Sequence, residues 1–159
     1  MEKPLLGKAV MEALAVGRPR GNLVISLLTA GEDGYPNVCL LSPYQVVAVD
    51  RHAVLLAVYE GSRTSANLAR RKGATLVIYL PPAAYYIKGS VDPVPPGRNT
   101  DALGNVLYQM SVQSVTRDYY AKAPITSAVT FDKRKVLPDY ALVYRALAET
   151  AAKMPGSRV

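Results

Sequence analysis

The chain has 159 residues, half of them hydrophobic, and a formal net charge of +7. This length predicts one domain with a core large enough to fold alone, and the apolar content excludes a disordered chain. No apolar run approaches the ~18 residues of a membrane span, and residues 1–16 lack the basic and apolar regions of a signal peptide. The single cysteine, Cys39, cannot form an internal disulfide, so we expect a cytoplasmic protein.

The excess of positive charge would attract nucleic acid or another anion. The basic residues form only two triplets, Arg70–Lys72 and Lys133–Lys135, and such triplets are typical of solvated helix ends and turns. A nucleic-acid-binding barrel needs aromatic and basic side chains interleaved along one strand face, which few stretches here approach. The sequence therefore disfavours nucleic acid as a partner.

Apolar periodicity and turn residues predict strands in sequence, framed by helices. Residues 4–16 repeat apolar side chains at helical spacing, whereas Val106, Tyr108 and Met110 alternate with polar residues as in a strand. The predicted elements are a helix over 4–16, strands over 22–30, 36–49 (broken at Pro43) and 53–59, a helix over 62–71, strands over 75–80, 84–91, 106–115 and 125–131, and a helix over 138–153.

Strands that follow one another through short turns imply antiparallel pairing rather than repeated βαβ units. Closing six or seven such strands into a small barrel would remove exposed sheet edges. We therefore predict a mainly β protein with flanking helices, in which a single domain over residues 1–159 places an antiparallel barrel over 22–131 between the two terminal helices.

Side chains for acid–base or metal-dependent hydrolysis are scarce. His52 is the only histidine and lies in a predicted turn, so neither a zinc site nor a Ser-His-Asp triad can be assembled around it. The sequence also lacks the glycine-rich motifs of P-loops and dinucleotide folds. If the protein is an enzyme, the difficult chemistry belongs to an organic cofactor, and no catalytic side chain is assigned.

One segment has the character of an anion receptor. Ser62, Arg63 and Thr64 follow Gly61 at the start of the predicted helix over 62–71. The first turn of a helix presents unpaired N–H groups and favours negative charge, so these residues could bind a phosphate. The alternative is that Ser62 only caps the helix and Arg63 is a solvated side chain.

Taken together, the turn Gly34–Pro36, the segment Gly61–Leu68 and the strand Tyr85–Gly89 resemble the FMN-binding split-barrel superfamily, which includes pyridoxamine 5′-phosphate oxidases and flavin reductases. The resemblance covers roughly residues 22–91. It implies a split β-barrel of six to seven antiparallel strands and a homodimer with one FMN at each end of its interface. The cofactor-binding residues that it implies are Ser62, Arg63 and Thr64 at the phosphate, Asn37, Leu41 and Ser42 at the flavin ring, and Asn67 and Lys88 as further contacts.

The resemblance leaves the substrate open. The chain has no tryptophan, whereas the substrate motifs of the true pyridoxamine oxidases contain one, so vitamin oxidation is not expected. We expect an FMN-dependent oxidoreductase that moves a hydride or electrons between a nicotinamide or other donor and a small acceptor. The alternatives are a deazaflavin in place of FMN, or a non-catalytic flavin or haem store or sensor. Tyr44, Tyr86 and Arg98 are candidate substrate contacts or ordinary surface residues.

Overall fold

The computed structural model describes residues 6–17, 21–95 and 103–155. Seven strands and three helices make up this part of the chain. The elements are α1 (Lys8–Ala13), β1 (Ile25–Ala30), β2 (Pro36–Leu41), β3 (Val46–Ala48), β4 (Ala53–Tyr59), α2 (Arg63–Arg70), β5 (Gly73–Leu80), β6 (Ala83–Pro93), β7 (Asn105–Asp118) and α3 (Leu137–Ala152). The mainly β architecture with flanking helices confirms the predicted fold class.

All seven strands belong to one sheet, in the order β2-β1-β5-β6-β7-β4-β3. Every strand pair is antiparallel, as the short connections predicted. Along β1 and β5, side chains alternate between fully buried and half-buried, so one face of the sheet forms the main core. Leu27, Leu76 and Met110 are fully buried in that core.

The opposite face of the sheet is covered over only part of its width. Behind β3, β4 and β7, helix α3 builds a second core, in which Leu55, Leu107, Val143 and Leu147 are buried. Strand β4 is therefore buried on both faces, which explains why Ala53–Tyr59 is almost uniformly apolar. No helix among the described residues covers the remaining part of this face, on β2, β1, β5 and β6; its principal side chains are Leu28, Val38, Leu40, Thr75, Val77, Tyr86 and Lys88. We call this the open outer face.

The terminal helices differ from their predicted lengths to different degrees. Helix α3 begins and ends one residue before the predicted bounds. Helix α1 is shorter than predicted, although the predicted apolar face is right because Leu6, Val10, Ala13 and Leu14 are buried. The Leu14 carbonyl accepts a hydrogen bond from Ala48 N at 2.9 Å, so the end of the helix is bonded to β3 and not to a further helical turn. Residues 4 and 5 of the predicted helix lie outside the described ranges.

The predicted strand over residues 125–131 is wrong. This segment makes one isolated bridge, between Leu23 and Thr130, with flanking backbone hydrogen bonds donated by Val24 and Phe131. A further bond runs from Ile125 N to the Pro82 carbonyl at 3.1 Å. Strand β1 is paired with β2 on one edge and β5 on the other from residue 25 onward. Only the few residues before it have a free edge, so the β-branched segment finds no full-length partner.

Candidate cofactor site

Helix α2 begins as its sequence predicts. Ser62 has extended backbone angles, and its hydroxyl accepts a hydrogen bond from Ser65 N at 3.1 Å, the usual geometry of a serine N-cap. Ala66 N donates to the Ser62 carbonyl at 3.1 Å. Gly61 provides the positive φ, +77°, that turns the chain from β4 into the helix.

The helix start retains donors for a ligand. Within the described part of the chain, the main-chain N–H groups of Arg63 and Thr64 have no hydrogen-bond partner, and the Arg63 guanidinium has neither an ion pair nor a hydrogen bond. Arg63 is exposed. The capping role of Ser62 is therefore real, but it leaves two oriented N–H groups and a cation available to an anion.

Thr64 connects the helix start to strand β2. Its side chain is buried, and its hydroxyl accepts a hydrogen bond from Asn37 Nδ2 at 3.0 Å. The Cys39 thiol also hydrogen-bonds to Thr64; burial raises the pKa of this thiol, and the hydrogen bond opposes that rise only in part. The side chain of Thr64 thus fastens the helix to β2.

Asn67 is hydrogen-bonded inside the protein. Its side-chain Nδ2 donates to Thr29 Oγ1 at 3.0 Å, and its Oδ1 accepts from Arg70 at 2.7 Å. Arg70 in turn forms an ion pair with Glu32 at 3.2 Å. With only 1% of its surface exposed, Asn67 uses one amide hydrogen and one oxygen lone pair to hold α2 against β1. Its contact with a cofactor stays a prediction.

A cleft of about 510 Å³ begins at the helix start. One wall is the exposed side of α2, with Arg63, Ala66 and Arg70, and the other is the β1–β2 hairpin turn from Gly31 to Tyr35. Asn37 and Asn67 form its floor. The volume lies within the usual range for small-molecule sites, about 300–1,000 Å³.

Leu41 and Ser42, predicted to border a flavin ring, are buried in the single chain, with 4% and 2% of their surfaces exposed. The Ser42 hydroxyl donates to Gln45 Oε1 at 3.1 Å and accepts from Tyr44 N at 3.3 Å, so it stabilises the turn between β2 and β3. Asn37 is half-buried at the other end of β2 and reaches the cleft.

Lys88 lies apart from the other predicted residues. It pairs with Thr75, which pairs with Leu28, so all three belong to the open outer face. Thr29, the next residue along β1, points to the opposite face and contacts α2. The structure therefore brings Asn37, Ser62, Arg63, Thr64 and Asn67 together and separates Lys88 from them by the thickness of the sheet.

The three candidate substrate contacts have different surroundings. Tyr44 is buried against Tyr140 and Tyr144, with ring centroids 5.9 and 6.0 Å apart, and so does not face a cleft. Tyr86 lies on the open outer face, where its hydroxyl donates to Asp118 at 2.6 Å; this hydrogen bond raises the pKa of Tyr86. Arg98 is outside the described residues.

Sequence reasoning missed several residues of the site. Arg70 and Glu32 form the ion pair across the cleft, and Tyr35 stands at its far end with 74% of its surface exposed. Ser65 Oγ lies 2.8 Å from the hydroxyl of Tyr108, which joins α2 to β7. The sequence did contain a signal for Arg70. It lies seven residues after Arg63, and residues two turns apart share a helix face, so both arginines could have been placed on one side of α2.

Two further observations concern the described residues alone. No three His, Cys, Asp or Glu side chains there converge closely enough to hold a metal ion. None of the helices described is both long and apolar enough to cross a bilayer.

Known proteins are similar to this chain in sequence or in structure. No family model matches the chain. The uncharacterised protein YclD of Bacillus subtilis is 30% identical over 103 residues, which is 65% of this chain and 66% of YclD, just under two thirds of that relative's length. A candidate pyridoxamine 5′-phosphate oxidase of Lactobacillus delbrueckii has a similar structure, with a TM-score of 0.58, 14% identity, and coverage of 70% of this chain and 93% of that one.

A structure described as an F420 reductase is also similar, with a TM-score of 0.52, 16% identity, and coverage of 66% of this chain and 94% of that one. At such identities the likeness concerns the fold. The described residues adopt the split β-barrel fold of these two structures. This is the fold that the resemblance implied.

Proposed function

We propose that the chain binds FMN, with the cofactor phosphate at the start of α2, and that it acts as an oxidoreductase. The observation that carries this proposal is the pair of main-chain N–H groups at Arg63 and Thr64 that have no partner among the described residues, next to a cleft that Arg63 lines on a split-barrel fold. A helix start with a free arginine is chemically suited to a phosphate dianion. The residues present therefore fit the phosphate group of a flavin nucleotide.

Each residue of the site has a distinct part in this proposal. Arg63 supplies a charge-assisted hydrogen bond, and the N–H groups of Arg63 and Thr64 supply two more donors. Asn37 and Asn67 keep the helix start in place through their hydrogen bonds to Thr64 and Thr29. When bound, FMN supplies the hydride chemistry, and the protein supplies binding, orientation and exclusion of water.

We also propose that the functional unit is a homodimer formed through the open outer face. Val38 and Leu40 expose 57% and 66% of their surfaces there, beside half-buried Leu28 and Val77. Two exposed apolar side chains on one edge strand are a liability for a monomer, and two-fold pairing is the commonest way to cover such a patch. In such a dimer Lys88 would lie at the interface, so it could contact a cofactor bound by the partner.

Replacing Leu40 with glutamate should convert the dimer to a monomer, because pairing would then bury an unpaired charge from each subunit. Sedimentation velocity at micromolar concentration measures this. Leu142→Glu is the matched control: Leu142 is 42% exposed on α3 and is not one of the side chains of the open outer face, so that variant should remain dimeric. A monomeric parent, or a Leu40→Glu variant that still dimerises, would contradict the proposed interface.

The oxidoreductase proposal is tested by anaerobic titration of the FMN-loaded protein with NADH and with NADPH. We expect one of them to bleach the oxidised-flavin absorbance and air to restore it, because a bound flavin can accept a hydride and return its electrons to oxygen. Free FMN under the same conditions is the control. A bound flavin that is photoreduced but resists both nicotinamides would rule out a nicotinamide-dependent reductase.

A further inference from the structure

The cleft extends beyond the place where a flavin phosphate would bind. Arg63 and Arg70 lie seven residues apart on the exposed side of α2, with Ala66 between them, and all three line the cleft. At a rise of about 1.5 Å per residue, the two arginines are separated by roughly 10 Å along the helix axis. The wall past Arg63 is therefore about long enough for a nucleoside, and the small side chain of Ala66 leaves room for one.

The far end of the cleft differs in chemistry from the helix start. Tyr35 presents a flat ring there, 74% exposed, on the turn of the β1–β2 hairpin. The Asp33 carboxylate accepts a hydrogen bond from Tyr35 N at 3.0 Å, which orders the turn. Glu32 is held by its ion pair with Arg70 at 3.2 Å. This end thus offers an aromatic surface and carboxylate oxygens, which are hydrogen-bond acceptors only.

We propose, on the basis of the function proposed above, that this cleft binds the adenylate half of FAD, and that FAD is bound more tightly than FMN. Arg63 and the N–H groups at the helix start would contact the phosphates. Tyr35 would stack on the adenine, because every base has a π-face that an aromatic ring can cover. Glu32 and Asp33 would accept hydrogen bonds from the hydroxyls and amine of the nucleoside.

The carboxylates at the far end of the cleft favour the adenylate of FAD over a flavin-type cofactor whose tail carries carboxylates. A tail that ends in carboxylates would meet Glu32 and Asp33, and the repulsion between like charges would weaken its binding. Of the two described arginines that line this cleft, Arg63 and Arg70, the second is already paired with Glu32 and hydrogen-bonded to Asn67. A nucleoside is neutral and rich in donors, and so it matches an end of the cleft that is rich in acceptors.

Isothermal titration of the apoprotein with riboflavin, FMN and FAD tests the proposal. In the parent, we expect FAD to bind about tenfold more tightly than FMN, a value within the range for stacking of one base. Tyr35→Ala should abolish that difference, because the adenine would lose its stacking partner. Because Tyr35 is mostly exposed, its removal should not impair folding. Tyr120→Ala, another exposed tyrosine outside the cleft, should retain the preference for FAD.

The outcomes separate the two proposals. Parent protein that binds FMN but binds FAD equally or less well overturns the adenylate site and leaves the FMN proposal standing. A preference for FAD that survives Tyr35→Ala also overturns the adenylate site as described. Parent protein that binds neither nucleotide overturns the proposed function, and the adenylate site with it.

Discussion

Replacing Arg63 with alanine should weaken FMN binding by roughly 10- to 150-fold, because a hydrogen bond to a charged group contributes about 1.5–3 kcal/mol. Arg63 is the cation at the start of α2 that has no internal partner among the described residues. Its removal leaves the cap at Ser62 and the bonds of Thr64 intact, so the helix should remain folded. Fluorescence titration of the apoprotein with FMN measures the change.

Two controls make this measurement specific to the phosphate. Riboflavin lacks the phosphate, so its affinity should be the same for the parent and for Arg63→Ala. Arg145→Ala removes an exposed arginine from α3, far along the chain from the cleft, and should leave FMN affinity unchanged. FMN affinity that is equal in Arg63→Ala and the parent would show that the phosphate binds elsewhere.

Gly89→Ala should lower the free energy of unfolding by about 2–3 kcal/mol, the upper part of the range for overpacking. Gly89 follows the register shift between β6 and β7, and a Cβ there would lie 2.3 Å from the Ser111 carbonyl oxygen and 2.7 Å from Met110 Cγ. The first of these is a main-chain atom, which cannot yield without moving the strand. For a chain of this length, the change corresponds to a fall in Tm of roughly 5–10 °C.

Gly73→Ala is the matched control for this strain. Gly73 pairs with Ser90 in the same part of the sheet, but a Cβ at Gly73 would meet no heavy atom within 4 Å. We expect its stability to stay within about 0.5 kcal/mol of the parent. Differential scanning calorimetry of the three proteins compares them directly. Equal Tm values for Gly89→Ala and Gly73→Ala would refute the predicted backbone clash.

Features encoded by neighbouring residues could be predicted from the sequence. The start of α2 depends on Gly61, Ser62 and Ser65, which lie within a few positions of one another, and the structure has the cap where the sequence placed it. Strand β4 was predicted with its observed bounds because a short apolar run between turn residues has few other solutions. Local chemistry therefore predicted the capped start of α2, and the binding of a phosphate there stays a proposal.

Features that depend on distant partners could not be predicted. Asn67 was predicted as a further cofactor contact, but its hydrogen bond to Thr29, 38 positions away, could not be foreseen. Alternation along β6 indicated that Tyr86 and Lys88 share a face, yet only the register of the strands and the contact between Asn67 and Thr29 reveal that α2 lies on the other one. Tyr44 is covered by a helix nearly a hundred residues later in the chain. Such pairings are consequences of topology, which single-sequence patterns do not encode.

The most direct test of the central claim is the affinity of the parent apoprotein for FMN relative to riboflavin. The two ligands share the ring and the ribityl chain and differ only in the phosphate. Binding of the phosphate at the start of α2 predicts that FMN binds at least about tenfold more tightly, with one flavin per chain. Equal affinities, or no binding of either ligand, would contradict it.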